Sequence, residues 1–166
     1  MPDRYAHCTF CGARFTPGQS WPRRCGACGE TSYLNPKPVA VALQPVGSGL
    51  LVIRRAVPPA VGSLALPGGY IDATESWQQA ASRELHEETG VTSDPDSVRL
   101  FDARSAPDGT LLIFGLFPGL ASATDLPAHT DSETAGREVL ERPASLGFDL
   151  HTQAANRWFN QVATSF

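Results

Sequence analysis

The stretch "PGGYIDATESWQQAASRELHEETGV", Pro67 to Val91, decides how the chain is read. It carries Asp72, Glu75, Glu84, Glu87 and Glu88 and a single arginine, Arg83. Ser76-Trp77-Gln78-Gln79 has the form of a capping box, so a helix is expected to start near Ser76 and to stop before Gly90. Advance by roughly 100° per residue from Trp77. Ala81, Leu85, Glu84 and Glu88 then fall within about 80° of it, while Gln79, Ser82 and His86 take the opposite side. A solvated acidic face would be arranged the other way round. Glu84 and Glu88 are also four residues apart, a spacing at which like charges repel. Partial burial would worsen that repulsion, and a hard divalent cation with oxygen ligands would relieve it. Glu87 lies at the edge of the arc. Arg83 is placed to tie back to Glu75 and so to hold the preceding loop. Gly68 and Gly69 let the backbone approach closely, so that a carbonyl there can be a further ligand.

A second cluster lies near the start of the chain. Cys8, Cys11, Cys25 and Cys28 are its four cysteines, in the pattern C-x2-C-x13-C-x2-C. Two such knuckles can offer four thiolates to one tetrahedral Zn2+, and a structural zinc is expected there. Two disulfides are the alternative. The opening "MPDRYAHCTF" has no apolar signal region, which points to a reducing cytoplasm, where disulfides are rare. His7 abuts Cys8 and reads as a bystander. Residues 1–35 are expected to form this zinc ribbon, and residues 36–166 the main domain.

The chain of 166 residues is 42% hydrophobic, enough for an ordinary core, and has no apolar run that would span a membrane. Its formal charge of −4 argues against bulk nucleic-acid binding, which needs a basic face. It leaves anionic small molecules open, because a bound cation reverses the local field.

Beyond the ribbon, strands are expected over Val39–Val46 and Leu50–Arg55, with a short one at Leu64–Leu66. A hairpin is expected from Val98–Ala103 and Leu111–Phe117. Ala123–Arg137 reads as a polar loop, and Glu138–Leu140 as a strand. Thr152–Ala163 reads as an amphipathic helix with Ala155, Trp158, Phe159 and Val162 on one side. Strands interspersed with two helices predict an α/β architecture with a mixed sheet covered by helices.

Gly69, Glu75, Arg83, Glu84, Leu85, Glu87, Glu88, Gly90 and Val91 fill every defined position of G-x5-E-x7-R-E-U-x-E-E-x-G-U, where U is aliphatic. In this the chain resembles the Nudix hydrolases. A four-cysteine ribbon followed by such a domain is similar to the zinc-ribbon group, which includes NADH, ADP-ribose and FAD pyrophosphatases. The resemblance implies a Nudix α/β/α sandwich and hydrolysis of the pyrophosphate in a nucleoside diphosphate linked to another moiety. It implies that Glu84, Glu87 and Glu88, helped by the Gly68 carbonyl, bind Mg2+ or Mn2+. It makes Glu75 and Arg83 an orienting pair. Glu87, or Glu133 on a later loop with Asp131 as second choice, would accept the water proton.

The S-Q-P-W-P-F-P-x-S signature of NADH pyrophosphatases is absent after Val91, which shifts the expected substrate towards ADP-ribose, a nucleotide sugar or FAD. Tyr33, Tyr70 and Phe148 are candidates for the base-binding aromatic, and Arg54 and Arg55 for phosphate contacts. A different class of function is a non-catalytic nucleotide sensor whose ribbon binds nucleic acid or protein. The ribbon's Arg4, Arg14, Arg23 and Arg24 against Asp3 and Glu30 are only a modest surplus, and a sensor has no need of the whole metal-binding set. A ribbon that packs or pairs two copies as a homodimer is compatible with the hydrolase.

Overall fold

Ser76 starts the first helix as its sequence requires. Its hydroxyl accepts from the Gln79 N–H at 3.2 Å, and the Gln79 side chain accepts from the Ser76 N–H at 2.7 Å. Helix α1, Trp77–Thr89, ends at Gly90, whose φ of 75° is the left-handed cap that glycine adopts without steric cost. The structure is a computed structural model that describes residues 5–163, with side chains described through 161. Arg4 and Asp3, and the Val162 side chain that the sequence places on the second helix's apolar side, lie outside that description.

The chain divides into two compact units, Met1–Pro36 and Lys37–Phe166. In the first, β1 (Arg23–Arg24) pairs antiparallel with β2 (Thr31–Ser32). Two knuckles repeat one hydrogen-bond pattern: the Gly12 N–H donates to the Cys8 carbonyl and the Gly29 N–H to the Cys25 carbonyl. The apolar centre is small, with Cys8, Cys25 and Phe15 buried and Trp21 packed against them. Such a centre is poor in the large aliphatic side chains from which most cores draw their stability.

In the second unit the strands are β3 (Lys37–Leu43), β4 (Pro45–Val46), β5 (Gly49–Arg55), β6 (Leu64–Ala65), β7 (Gly68–Tyr70), β8 (Arg99–Ser105), β9 (Thr110–Leu116) and β10 (Thr134–Leu140). They form two four-stranded sheets, one of them mixed as expected. One runs β7–β3–β9–β8, with β3 and β9 parallel and its other pairs antiparallel. In the other, β10, β4 and β6 all pair antiparallel with β5.

Alternation along the central strands sends side chains to two cores. Val41 and Leu43 of β3 and Leu50 and Val52 of β5 pack with Ala155, Trp158 and Phe159 of helix α2, Asp149–Ala163. Ala40, Ala42 and Leu51 pack with Ala80, Ala81 and Leu85 of α1. The result is an α/β/α sandwich. No helix among the described residues is long and apolar enough to cross a membrane.

Several boundaries differ from expectation. The loop expected over Ala123–Arg137 contains a 3-10 turn, Ala123–Asp125, and gives its last four residues to β10. That strand follows β5 with a register shift between Thr134 and Gly136, so cross-strand pairing holds residues whose polarity reads as loop. Helix α2 starts at Asp149, three residues before the expected Thr152. Ser82, placed on the exposed side of α1, is buried at 8% exposure, and its hydroxyl has no hydrogen-bond partner among the described residues. The buried arc of α1 is wider than the apolar residues alone indicate.

The cap at Ser76 fixes where α1 begins. Ser76→Ala should lower stability by about 1 kcal/mol, read from the denaturant midpoint at unchanged m-value. An unchanged midpoint would show that the cap contributes nothing.

Candidate functional site

The inward arc of α1 brings carboxylates into the protein. Glu88 is 7% exposed, and its Oε2 accepts the Gly68 N–H at 2.8 Å. Burial, with the Glu84 charge nearby, outweighs that hydrogen bond and pushes the Glu88 carboxyl up to about 8. Ionising it at pH 7 in the absence of a cation costs about 1.4 kcal/mol. Glu84 is partly buried. Burial raises its carboxyl, and Arg83 opposes the rise. Its carboxylate fills the space where a Cβ on Gly69 would stand, 2.4–2.7 Å away. A Cβ on Gly68 would instead meet backbone, Ala40 O at 2.4 Å and Val41 Cα at 2.8 Å. The two glycines therefore do different things: Gly68 lets β7 close on β3, and Gly69 leaves room for a carboxylate.

Arg83 organises the outer rim. Its Nη2 donates to Glu75 Oε1 at 2.6 Å and to the Tyr70 carbonyl at 3.0 Å, and its Nε donates to Glu75 Oε2 at 3.2 Å. Its Nη1 reaches Glu84 at 2.8 Å and Glu87 at 3.1 Å. The fork on Glu75 is the loop-to-helix tie expected from the sequence, and it holds the Glu75 carboxyl below the usual range. Glu75 also accepts the Asp72 N–H at 2.9 Å, which closes the turn before α1.

A cavity of about 910 Å³ opens beside these groups. Gly68, Gly69, Arg83, Glu84, Glu88 and Glu133 line it. Glu87 does not; its side chain is 55% exposed and paired with Arg83. Glu84, Glu87 and Glu88 are therefore neighbours on one helix but are not all gathered at the cavity wall. Among the described residues, the group of three or more metal-ligand side chains within 4.8 Å of one another is the cysteine quartet. Of the other sequence candidates, Arg55, Tyr70 and Phe148 line the cavity. Arg54 is paired with Glu138 across the strands at 2.6 Å. Tyr33 lies in the first unit, 65% exposed.

Residues that local patterns did not single out hold Glu133 in place. His129 Nε2 donates to the Glu87 carbonyl at 2.7 Å. Arg137 donates to the carbonyls of Thr89 and Pro127. The loop that carries Asp131 and Glu133 is thus fastened to the last turn of α1, where carbonyls lack helical partners. Its end is fixed by the Ala56 N–H, which donates to the Glu133 carbonyl at 2.8 Å. Only contacts distant in sequence reveal this role; the one local signal is a histidine and an arginine flanking two acids.

In the first unit the four cysteines are free thiols. Sγ–Sγ separations of 3.8 Å for Cys8–Cys28 and 3.7 Å for Cys11–Cys25 are far longer than a disulfide, at about 2.05 Å. They match the edge of a tetrahedron with metal–sulfur bonds of about 2.3 Å, roughly 3.8 Å. The N–H groups of Cys11 and Phe10 pull Cys8 down to about 6, into the range where a thiolate is readily available. The quartet fits one zinc-sized ion.

Two predictions follow from this geometry. Gly69→Ala should leave the thermal midpoint within a few degrees but displace the Glu84 carboxylate and weaken Mn2+ binding, read by calorimetry. Gly68→Ala should destabilise the fold itself, because the clash is with backbone. Equal effects of the two substitutions would refute the division of labour.

The second prediction concerns pH. Folding raises the Glu88 carboxyl above its unfolded value of 4.5, so the folded state holds more protons than the unfolded one between about 4.5 and 8. In metal-free protein, stability should therefore fall as pH rises from 6.5 to 8. Glu88→Gln should abolish that slope. A parallel decline in both proteins, followed by chemical denaturation, would count against it.

Known proteins resemble this chain in sequence and fold. The family model described as "NUDIX domain" matches residues 35–159. An ADP-ribose pyrophosphatase from Methanocaldococcus jannaschii is 34% identical over 76 residues, which are 46% of this chain; the match spans 44% of that relative's length. The crystal structure of a NUDIX hydrolase from Nitrosomonas europaea superposes with a TM-score of 0.76 at 22% identity, covering 93% of this chain and 90% of that one. A bifunctional NMN adenylyltransferase/ADP ribose pyrophosphatase from Francisella tularensis, solved with AMP and a Mn ion, gives 0.55 at 24% identity, covering 80% of this chain and 41% of that one. With the family model matching most of its length and its acidic helix carrying the full motif, the chain belongs to the NUDIX family.

Proposed function

We propose that the second unit is a divalent-metal-dependent pyrophosphohydrolase that cleaves nucleoside diphosphates linked to another moiety, ADP-ribose-like compounds foremost. The observation that carries this reading is a nearly buried carboxyl, Glu88, held beside Glu84 at the wall of a cavity large enough for a dinucleotide-sized ligand. Uncompensated, that pair is costly; with a hard cation it is a binding site. The partial match to an ADP-ribose pyrophosphatase supports the choice of substrate class.

Glu84 and Glu88, with Glu87 and the Gly68 carbonyl, would hold Mg2+ or Mn2+. The bound ion supplies charge neutralisation of the pyrophosphate and acidifies a water. In this reading Glu133, at the cavity wall and anchored through its backbone, takes a proton from the attacking water. The water oxygen bonds to one phosphorus and the bridging P–O bond breaks, so ADP-ribose yields AMP and ribose phosphate. Arg83 and Glu75 keep α1 and the preceding loop in register, and Arg83 must also release Glu87 if that carboxylate joins the metal. The cysteine quartet would hold a structural Zn2+, a role suited to a reducing cytoplasm.

Incubation with ADP-ribose, FAD and NADH under Mg2+ and Mn2+, with products separated by chromatography, tests the assignment. Glu88→Gln and Glu133→Gln should each lower turnover by roughly 100-fold or more. Preference for NADH by an order of magnitude in kcat/KM, or wild-type turnover by Glu88→Gln at saturating Mg2+, would overturn it. Protein purified under reducing conditions should contain one zinc per chain by elemental analysis; two disulfides and no zinc would remove the ribbon site.

A further inference from the structure

The cavity continues past the carboxylates to a wall they do not form. That wall includes Arg55, Pro58, Pro59, Phe148 and His151. His151, in the first turn of α2, is 7% exposed, and its Nδ1 accepts the Leu66 N–H at 3.3 Å. An Nδ1 that accepts carries no proton, so a neutral ring keeps its proton on Nε2. Burial, with Arg55 nearby, lowers the imidazole to about 4, which keeps the ring neutral at physiological pH. Among the described residues no protein acceptor pairs with Nε2. The ring is braced edge-on by Phe114 at 6.0 Å and tilted against Phe148 at 5.0 Å. Phe148 is half-buried and carries the Arg55 guanidinium 5.4 Å from its centroid. Arg55 is itself fixed by the Pro59 carbonyl at 2.8 Å.

We propose that His151 and Phe148 form the subsite for the planar base of the nucleotide, with the His151 Nε2–H donating to an acceptor on the base edge and the Phe148 ring offering a stacking face. This rests on the nucleotide reading given above and extends it to the residues that select the substrate. A donor at the cavity wall that no protein acceptor takes is free for a ligand acceptor. A neutral donor beside an aromatic face suits a base better than a second phosphate, the more so because Asp149, the chain neighbour of Phe148, also lines the cavity. The distance along the chain is favourable. Leu66, which holds His151, and Gly68, which holds Glu88, are two residues apart, a span of at most about 7 Å. One nucleoside diphosphate can bridge that separation.

The test uses the full chain, zinc-loaded and free of other divalent cations. Imidazole and Phe148 ring resonances are followed by NMR during titration with AMP, GMP, UMP and inorganic pyrophosphate. At least one nucleotide should shift the His151 Nε2–H and Phe148 signals saturably, and pyrophosphate should not. Equal shifts with pyrophosphate, or none with any nucleotide, would overturn the proposal. In turnover, Phe148→Leu and His151→Gln should raise KM at least tenfold for the preferred nucleotide and flatten discrimination among ADP-, GDP- and UDP-linked sugars, with a smaller change in kcat. Unchanged KM in variants of wild-type thermal midpoint would also overturn it. If the wild-type chain hydrolyses no nucleoside diphosphate, the proposed activity fails, and the titration still decides the subsite.

Discussion

The hydrogen bond from the Gly68 N–H to Glu88 is the contact around which the second unit is arranged. It joins the one nearly buried acid of α1 to the strand that precedes the helix. It can form only because β7 lies flush against β3, where any side chain on Gly68 would strike Ala40. The small residues Ala40 and Ala42 on β3, and Ala80 and Ala81 on α1, let helix and sheet approach closely enough for the carboxyl to reach. Packing that looks like ordinary core economy thus sets the depth at which an ionisable group is held. The close approach of β7 to β3 and the electrostatics of the site meet in this one placement.

Around that contact the charges are graded. Glu87 is outermost, Glu75 is lowered by its fork with Arg83, Glu84 is partly buried and raised, and Glu88 is deepest and raised furthest. A single arginine touches three of the four glutamates of the helix and its approach loop, which five donors in a planar fork make feasible. Carboxylates of identical chemistry therefore differ in readiness to bind a cation according to their burial and their share of Arg83. The same sandwich offers a neutral imidazole on the other helix. Acidic and uncharged donor chemistry meet in one cavity because both helices border it.

Much of this was legible from the sequence. The capping box, the Gly90 stop, the Glu75–Arg83 tie and the inward arc of Glu84 and Glu88 are local features, set by helical spacing within one segment. The thiol cluster was equally local. Strand β10 was legible only at its end, Glu138–Leu140, because Thr134–Arg137 owe their extended form to β5 rather than to their own polarity. Ser82 was misplaced because tertiary packing can bury polar as well as apolar residues of a helix. His129, Arg137 and His151 gave little signal, since each acts on a backbone group more than 40 positions away. Patterns of period two or 3.6 carry no information about such partners.

The parallel pairing of β3 with β9 has a consequence for how the protein is made. Lys37 faces Thr110 across that ladder, so the whole acidic helix lies within the segment that the pairing closes. Chain closure of this length is slow and is rewarded only when the strands meet. A nascent chain that has emerged only as far as α1 has its acidic motif complete but lacks the parallel partner of the strand on which β7 lies. The carboxyls stay solvated and ordinary until β9 arrives. The site and the sheet therefore mature together, and unfinished chains carry the motif without its buried chemistry.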